Sequence, residues 1–132
     1  MRYILDTNVC IEILKGTSQR VKNEIASISN EDVALPTVVR FELAYGANKS
    51  QNPEKKQALI NEFVGSFLSI PFDDQIAEKC GEIGAALEKA GAPIEPYDLM
   101  IAATAVAKNT ILVTHNTKEF SRVKDIRLED WQ

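Results

Sequence analysis

Met1-Arg2-Tyr3-Ile4-Leu5-Asp6-Thr7-Asn8-Val9-Cys10-Ile11-Glu12-Ile13-Leu14 opens the chain with a strand that runs into a helix, the unit from which the rest is built. Tyr3-Ile4-Leu5 is an unbroken apolar triplet, the mark of a short strand covered on both faces. After it the apolar residues Val9, Ile11, Ile13 and Leu14 fall in a helical segment. Asp6 stands at the joint between strand and helix. The same alternation continues along the chain. Val21 to Ile28 reads as a second helix. Val33-Ala34-Leu35 is a strand ended by Pro36, and a helix from Val38 to Ala47 follows, with Thr37 placed to cap it. Pro53 sits at a helix start, where its missing N–H costs nothing, and that helix runs to about Phe67. Leu68-Ser69-Ile70 is a strand stopped by Pro71. Asp73 or Asp74 opens a long helix to about Ala90, and residues 91–96 form a loop. Tyr97 to Lys108 is an apolar helix, Ile111-Leu112-Val113 a strand, Thr117 to Phe120 a helical turn, and Ile126-Arg127-Leu128 the last strand. Strands alternating with helices predict an α/β fold with a central, mostly parallel sheet and helices on both faces.

The bulk numbers agree with one domain over residues 1–132. A chain of this length buries roughly two-thirds of its unfolded surface, so its core needs no disulfide or metal. Net charge is −4, with 45% hydrophobic and 26% charged residues. That balance argues against a module that coats nucleic acid through Lys and Arg. It leaves a nuclease open, because carboxylates that hold a cation make a site look acidic. Two cysteines, Cys10 and Cys80, and one histidine, His115, are too few for a Cys/His zinc site. Cys10 reads as a small core residue. No signal-peptide core precedes Asp6 and no apolar run is long enough to cross a bilayer. The chain therefore reads as cytoplasmic.

In parallel α/β sheets, ligands sit beyond the carboxyl ends of the strands. Asp6 follows the first strand directly, with Thr7 and Asn8 beside it. Its ordinary role would be a helix cap. Glu42 has Val38, Val39, Tyr45 and Gly46 as helical neighbours, so its carboxylate is expected on an inward face. A buried carboxylate needs a partner or a metal, and Arg40 is the alternative partner. Asp98 heads the apolar stripe of its helix, where the alternative is again a cap. After the strand Ile111-Leu112-Val113 come Thr114, His115, Asn116 and, one helical turn on, Glu119. Carboxylates gathered together raise one another's pKa, and a divalent cation removes that penalty. Oxygen donors without Cys or His favour Mg²⁺, or Mn²⁺ in its place, over zinc. Such a site can assist the attack of water on a phosphodiester.

These residues resemble a known family. Leu5-Asp6-Thr7-Asn8 is similar to the opening motif of PIN domains, and Phe41-Glu42-Leu43-Ala44-Tyr45-Gly46 to their second motif. Gly91-Ala92-Pro93-Ile94 with Tyr97-Asp98-Leu99-Met100-Ile101-Ala102-Ala103 resembles the third. The run from Leu112 to Val123, with Leu128-Glu129-Asp130-Trp131, resembles the ending of VapC toxins, closest to the branch that cleaves initiator tRNA. The resemblance covers nearly the whole chain with its motifs in order. It implies a three-layer α/β/α PIN fold and a Mg²⁺-dependent endoribonuclease acting as the toxin of a type II toxin-antitoxin system. The implied substrate is structured RNA, initiator tRNA at its anticodon stem-loop, and the implied products carry 3′-hydroxyl and 5′-phosphate ends. The implied partners are a VapB-type antitoxin that blocks the site and a second copy of the chain, joined in a larger complex. Asp6 and Asp98 would ligate the metal directly, and Glu42 would complete the pocket through water or help deprotonate it. Many PIN nucleases carry a fourth acid where this chain has Asn116, so that role falls to Asn116 or to Glu119. Thr7, Asn8 and Thr114 are supporting residues, Asn8 by orienting Asp6. Glu95 stands where the branch usually has Gly and is expected to touch no ligand.

Two other classes compete. A non-catalytic, receiver-like module also carries acids at strand ends, but it needs a lysine after a late strand, where Thr114 and His115 stand. A phosphatase of the haloacid dehalogenase kind needs a second aspartate two residues after the first, where Asn8 stands.

Overall fold

A computed structural model describes residues 1–132. Five short strands, β1 (Tyr3–Leu5), β2 (Val33–Pro36), β3 (Leu68–Ile70), β4 (Ile111–Val113) and β5 (Arg127–Glu129), form one sheet in the order β3-β2-β1-β4-β5. Every neighbouring pair is parallel, so the sheet is wholly rather than mostly parallel. Seven helices connect and cover it: α1 (Thr7–Lys15), α2 (Gln19–Ala26), α3 (Thr37–Asn48), α4 (Pro53–Gly65), α5 (Asp74–Lys89), α6 (Pro96–Ala107) and α7 (Thr117–Phe120). The chain winds outward from β1 through β2 to β3, then returns to the other side for β4 and β5. The direction therefore reverses between β1 and β4, and a crevice opens at such a switch point beyond the strand ends.

Apolar content decides which strands are covered. Ile4, Leu5, Val33, Ala34, Leu35, Leu112 and Val113 are fully buried and form the middle of the core with Val39, Ile76, Ile101 and Phe120. The expectation that both faces of each strand are covered holds for β1, β2 and β4 only. At the edges Leu68 is 49% exposed and Arg127 lies open. Both edge strands are three residues long, which limits the pairing surface they offer.

Helix starts and stops follow local chemistry. Ser18, Asn52 and Asp73 each accept a backbone N–H of the helix they precede. Gly16 takes φ +68° where α1 ends, and Gly91 takes φ +72° just past α5, the left-handed turn that Gly permits. Gly91 thereby directs residues 92–95 toward Pro96, the first residue of α6. Thr37 is not a cap, against expectation. It is the first residue of α3, and its hydroxyl accepts the Phe72 N–H at 3.1 Å, tying α3 to the segment after β3. Helices α2, α4 and α6 and strand β5 are displaced from their sequence-based limits by one or two residues, the ordinary uncertainty of element ends. Cys10 and Cys80 are free thiols, Cys10 fully buried. No helix is long and apolar enough to cross a membrane.

Candidate active site

The register of β1 on β4 builds the centre. Leu5 pairs with Val113, so Asp6 and Thr114 leave the sheet side by side. The Asp6 N–H donates to the Val113 carbonyl at 3.0 Å and locks that register. Asp6 is only 5% exposed. One carboxylate oxygen accepts the Thr7 N–H at 2.8 Å and the other the Thr114 hydroxyl at 2.8 Å. Asp6 is thus the residue before α1, as a cap would be, but it spends one oxygen on a strand 108 residues away. The fully buried Thr114 hydroxyl in turn accepts the Asn116 N–H at 3.0 Å. Asn8 is exposed and makes no such bond. The positioning of Asp6 expected of Asn8 belongs to Thr114 and the Thr7 amide.

Glu42 comes from α3. Its carboxylate accepts the Thr7 hydroxyl at 2.8 Å, so Thr7 joins the two acids: its amide to Asp6, its side chain to Glu42. Arg40, the alternative partner, instead donates to the Val64 carbonyl at 3.0 Å. Glu42 is half-buried, and of the neighbours that marked its face as inward Val38 and Val39 are buried while Tyr45 is 59% exposed. It lies on the border of the core, facing the crevice.

Asp98 is the third residue of α6 and not its cap; Glu95 precedes that helix, without a side-chain capping bond. The Asp98 carboxyl is pushed up to about 6, by burial first and then by the negative charges of Asp6, Glu119, Glu42 and Glu95. Asp6 is raised too, because burial outweighs the lowering effect of its bonds from Thr114 and Thr7, with Glu119 adding repulsion. Four acids from α1's start, α3, α6 and α7 therefore share one field. Glu119 is oriented by the Asn116 side-chain amide, which donates to it at 3.0 Å. Asn116 carries no charge, so it serves this cluster as a holder of Glu119 and, through its backbone, of Thr114.

Glu95, expected to touch no ligand, adds its charge to those that raise Asp98. The available signal was its spacing, three residues before Asp98 at a helix start.

No Lys, Arg or His side chain forms an ion pair with these acids. The ion pairs of the protein lie elsewhere, Met1 amino group with Asp32, Lys79 with Glu82, and His115 with Asp130. Like charges held together without a base are a costly arrangement unless a ligand relieves it. The donors are all oxygen, which suits a hard divalent cation. No three His, Cys, Asp or Glu side chains stand close enough together to hold a metal ion among them. An ion that takes one or two carboxylates and keeps its waters fits such an open set, whereas a structural zinc ion does not.

Comparison with known proteins agrees with this geometry. The model of the PIN domain family matches residues 3–126. A Shigella flexneri protein named tRNA(fMet)-specific endonuclease VapC is 38% identical over 131 residues, covering 99% of this chain and 98% of the relative. Ribonuclease VapC2 of Rickettsia felis is 35% identical over 132 residues, with 99% and 98% covered. The structure of DNA-bound VapBC from Salmonella typhimurium superposes with a TM-score of 0.95 at 34% identity, covering 100% of this chain and 99% of that one. Fold, motif order and similarity over the full length converge, and the chain belongs to the PIN domain family, within its VapC group.

Proposed function

We propose that residues 1–132 act as a single catalytic unit, the toxin of a type II toxin-antitoxin pair, which hydrolyses phosphodiester bonds of RNA. Magnesium is the proposed ion, with manganese able to replace it, and initiator tRNA at the anticodon stem-loop is the proposed substrate. One observation carries this reading: Asp6, Glu42, Asp98 and Glu119 converge at the sheet's switch point with no basic partner. PIN-domain nucleases are in general dependent on a divalent metal, and the relatives are named as ribonucleases.

In this reading Asp6 and Asp98 hold the ion. When bound, a divalent cation supplies Lewis acidity toward phosphodiester and water. Thr114 and the Thr7 amide fix the Asp6 carboxylate so that its free lone pairs face the crevice. Thr7 holds Glu42 by one oxygen, leaving the second to take a proton from the attacking water. Glu119, held by Asn116, fills the fourth acidic position, and Asn116 is its positioning partner. Hydrolysis by water leaves 3′-hydroxyl and 5′-phosphate ends.

A VapB-type antitoxin is the proposed inhibitor. Between α1, α3 and α4 lies an apolar groove of about 230 Å³, floored by Ile11, Leu14, Leu43, Ala47 and Ile60, and Glu42 stands on its border. An antitoxin segment laid in that groove reaches the carboxylates. The similar structures from Salmonella typhimurium and Rickettsia felis are VapBC complexes, which supports the pairing. The receiver-like alternative has no support at the residue after β4, where Thr114 bonds to Asp6 in place of a lysine.

Purified antitoxin-free protein incubated with initiator tRNA and a mixed tRNA pool tests this. Discrete fragments with 5′-phosphate ends, needing Mg²⁺ or Mn²⁺, are expected. A 2′,3′-cyclic phosphate product would contradict the mechanism, and preference for another RNA would correct the substrate.

A further inference from the structure

Beside the carboxylates lies a group of side chains that the chemistry above does not use. Phe41 and Tyr45 on α3 and Tyr97 on α6 are 46%, 59% and 47% exposed. The other large exposed apolar residues, Met1, Ile11, Leu59 and Leu68, carry no ring, so these three are the exposed aromatic residues, and they meet one another. The Phe41 and Tyr97 centroids are 5.3 Å apart at 71°, and those of Phe41 and Tyr45 are 6.1 Å apart at 49°. Phe41 therefore meets Tyr97 edge-on, as aromatic pairs prefer, and Tyr45 at a tilt. Together with Glu42 they bound a shallow cleft of about 270 Å³. Phe41 immediately precedes Glu42 and Tyr97 immediately precedes Asp98. The helices that deliver two of the four acids thus deliver the rings to the rim. The Lys49 ammonium lies 4.9 Å from the Tyr45 ring centroid, so a cation stands beside this ring.

We propose that Phe41, Tyr45 and Tyr97 form a stacking platform that grips one unpaired base of the RNA substrate beside the bond that is cut. The proposal rests on the nuclease reading and deepens it. An occupant of this cleft meets aromatic rings and the Glu42 carboxylate, with the Lys49 ammonium beside Tyr45. An unpaired nucleotide matches all three: a neutral base with π faces for the rings, N–H edges for the carboxylate, and a phosphate for Lys49. RNA is read largely through unpaired bases stacked on aromatic side chains. A duplex keeps its bases inside the stack and has nothing to offer this cleft. The platform therefore selects a loop over a helix, and it sets the scissile bond at a fixed distance from a gripped base.

The test uses the full chain and an RNA hairpin with 2-aminopurine at successive loop positions. Binding is followed by fluorescence in calcium, a hard cation, and cleavage is followed separately in magnesium. At one loop position the wild-type protein should quench the probe. Stacking on one ring contributes ~1–3 kcal/mol per base, or about 5- to 150-fold in binding. Tyr45→Ala and Tyr97→Ala should each weaken hairpin binding and raise KM within that range, with kcat nearly unchanged, and should abolish the quench. Tyr45→Phe and Tyr97→Phe keep the rings and should restore all three readouts. Tyr45→Leu keeps apolar bulk without a π face and should behave as the alanine variant. If the wild type cleaves RNA but the alanine variants bind, quench and cleave as it does, the platform is refuted while the nuclease stands. If the alanine variants become monomeric in sedimentation and lose all RNAs equally, the rings pack against a second copy of the chain and the proposal is overturned. Absence of cleavage of any RNA would instead remove the nuclease reading itself.

Discussion

Replacing Asp98 by Asn should stabilise the metal-free protein while removing its activity. Asp98 is half-buried, has no base as partner, and is pushed up from 3.8 to about 6 by burial and four neighbouring carboxylates. A raised folded-state pKa means that the fold disfavours the charged form. The resulting destabilisation is absent below about pH 3.8, grows between 3.8 and 6 as the unfolded chain ionises first, and is complete above 6. Two units at about 1.4 kcal/mol each would give close to 3 kcal/mol. Half of the carboxyl is open to water, so screening reduces this to about 1 kcal/mol. For a chain of this size that is about 3–5 °C in Tm. Thermal unfolding in EDTA at pH 8 should therefore show Asp98→Asn melting higher than wild type by that amount. At pH 4.5 the gap should shrink to roughly a third. Adding Mg²⁺ should reverse the order, because an ion at ten times its Kd adds about 1.4 kcal/mol to a protein that binds it only when folded. If Asp98→Asn melts lower than wild type in EDTA at pH 8, and Mg²⁺ leaves both unchanged, the carboxylates are not a strained cation site and the reasoning fails.

Four further substitutions probe the supports. Thr114→Val removes the hydroxyl that binds Asp6 and leaves the Asn116 N–H without its acceptor; loss of such a support around metal ligands should cost about 10- to 100-fold in cation affinity or cleavage, read as a shifted Mg²⁺ dependence of the cleavage rate. Glu119→Gln should reduce cleavage more than Asn116→Ala, since Asn116 acts through Glu119; equal rates for the two in single-turnover cleavage would return the fourth role to Asn116. Trp131 is 3% exposed, packs edge-on against Tyr3 at 5.6 Å and donates to Glu129; Trp131→Ala should cost about 3–5 kcal/mol of stability, measured by urea unfolding, and a change below 1 kcal/mol would show that the C-terminal segment does not close the core.

The sheet was legible because its strands are unbroken apolar runs between strong stop signals. Ile4-Leu5, Ala34-Leu35 and Leu112-Val113 have no polar residue to misplace, and Pro36, Pro71 and Gly91 mark where elements turn. Strand order was not legible in the residues themselves. Asp6 declared itself by its place after β1. Its partner Thr114 could be noted as a hydroxyl at another strand end, but their contact depends on Leu5 pairing with Val113, which no local pattern encodes. Thr37 and Asn8 show the opposite failure. Both were assigned by the usual habits of Thr and Asn near a helix start, and tertiary geometry overrode them: Thr37 met Phe72, and Asn8 faced water. The effect of Glu95 on Asp98 could be suspected from their spacing of three residues, whereas the charges of Asp6, Glu42 and Glu119 on Asp98 come from elements remote in sequence. The inward face assigned to Glu42 was half right, since α3 has buried valines but exposed rings beside the acid.

The most direct measurement titrates Mn²⁺ into metal-stripped protein by calorimetry while tRNA cleavage is followed at the same cation concentrations. The account predicts that occupancy and cleavage rise together, and that Asp6→Asn, confirmed to be folded, loses both. Full cleavage in EDTA, or undiminished cleavage by Asp6→Asn, would contradict it.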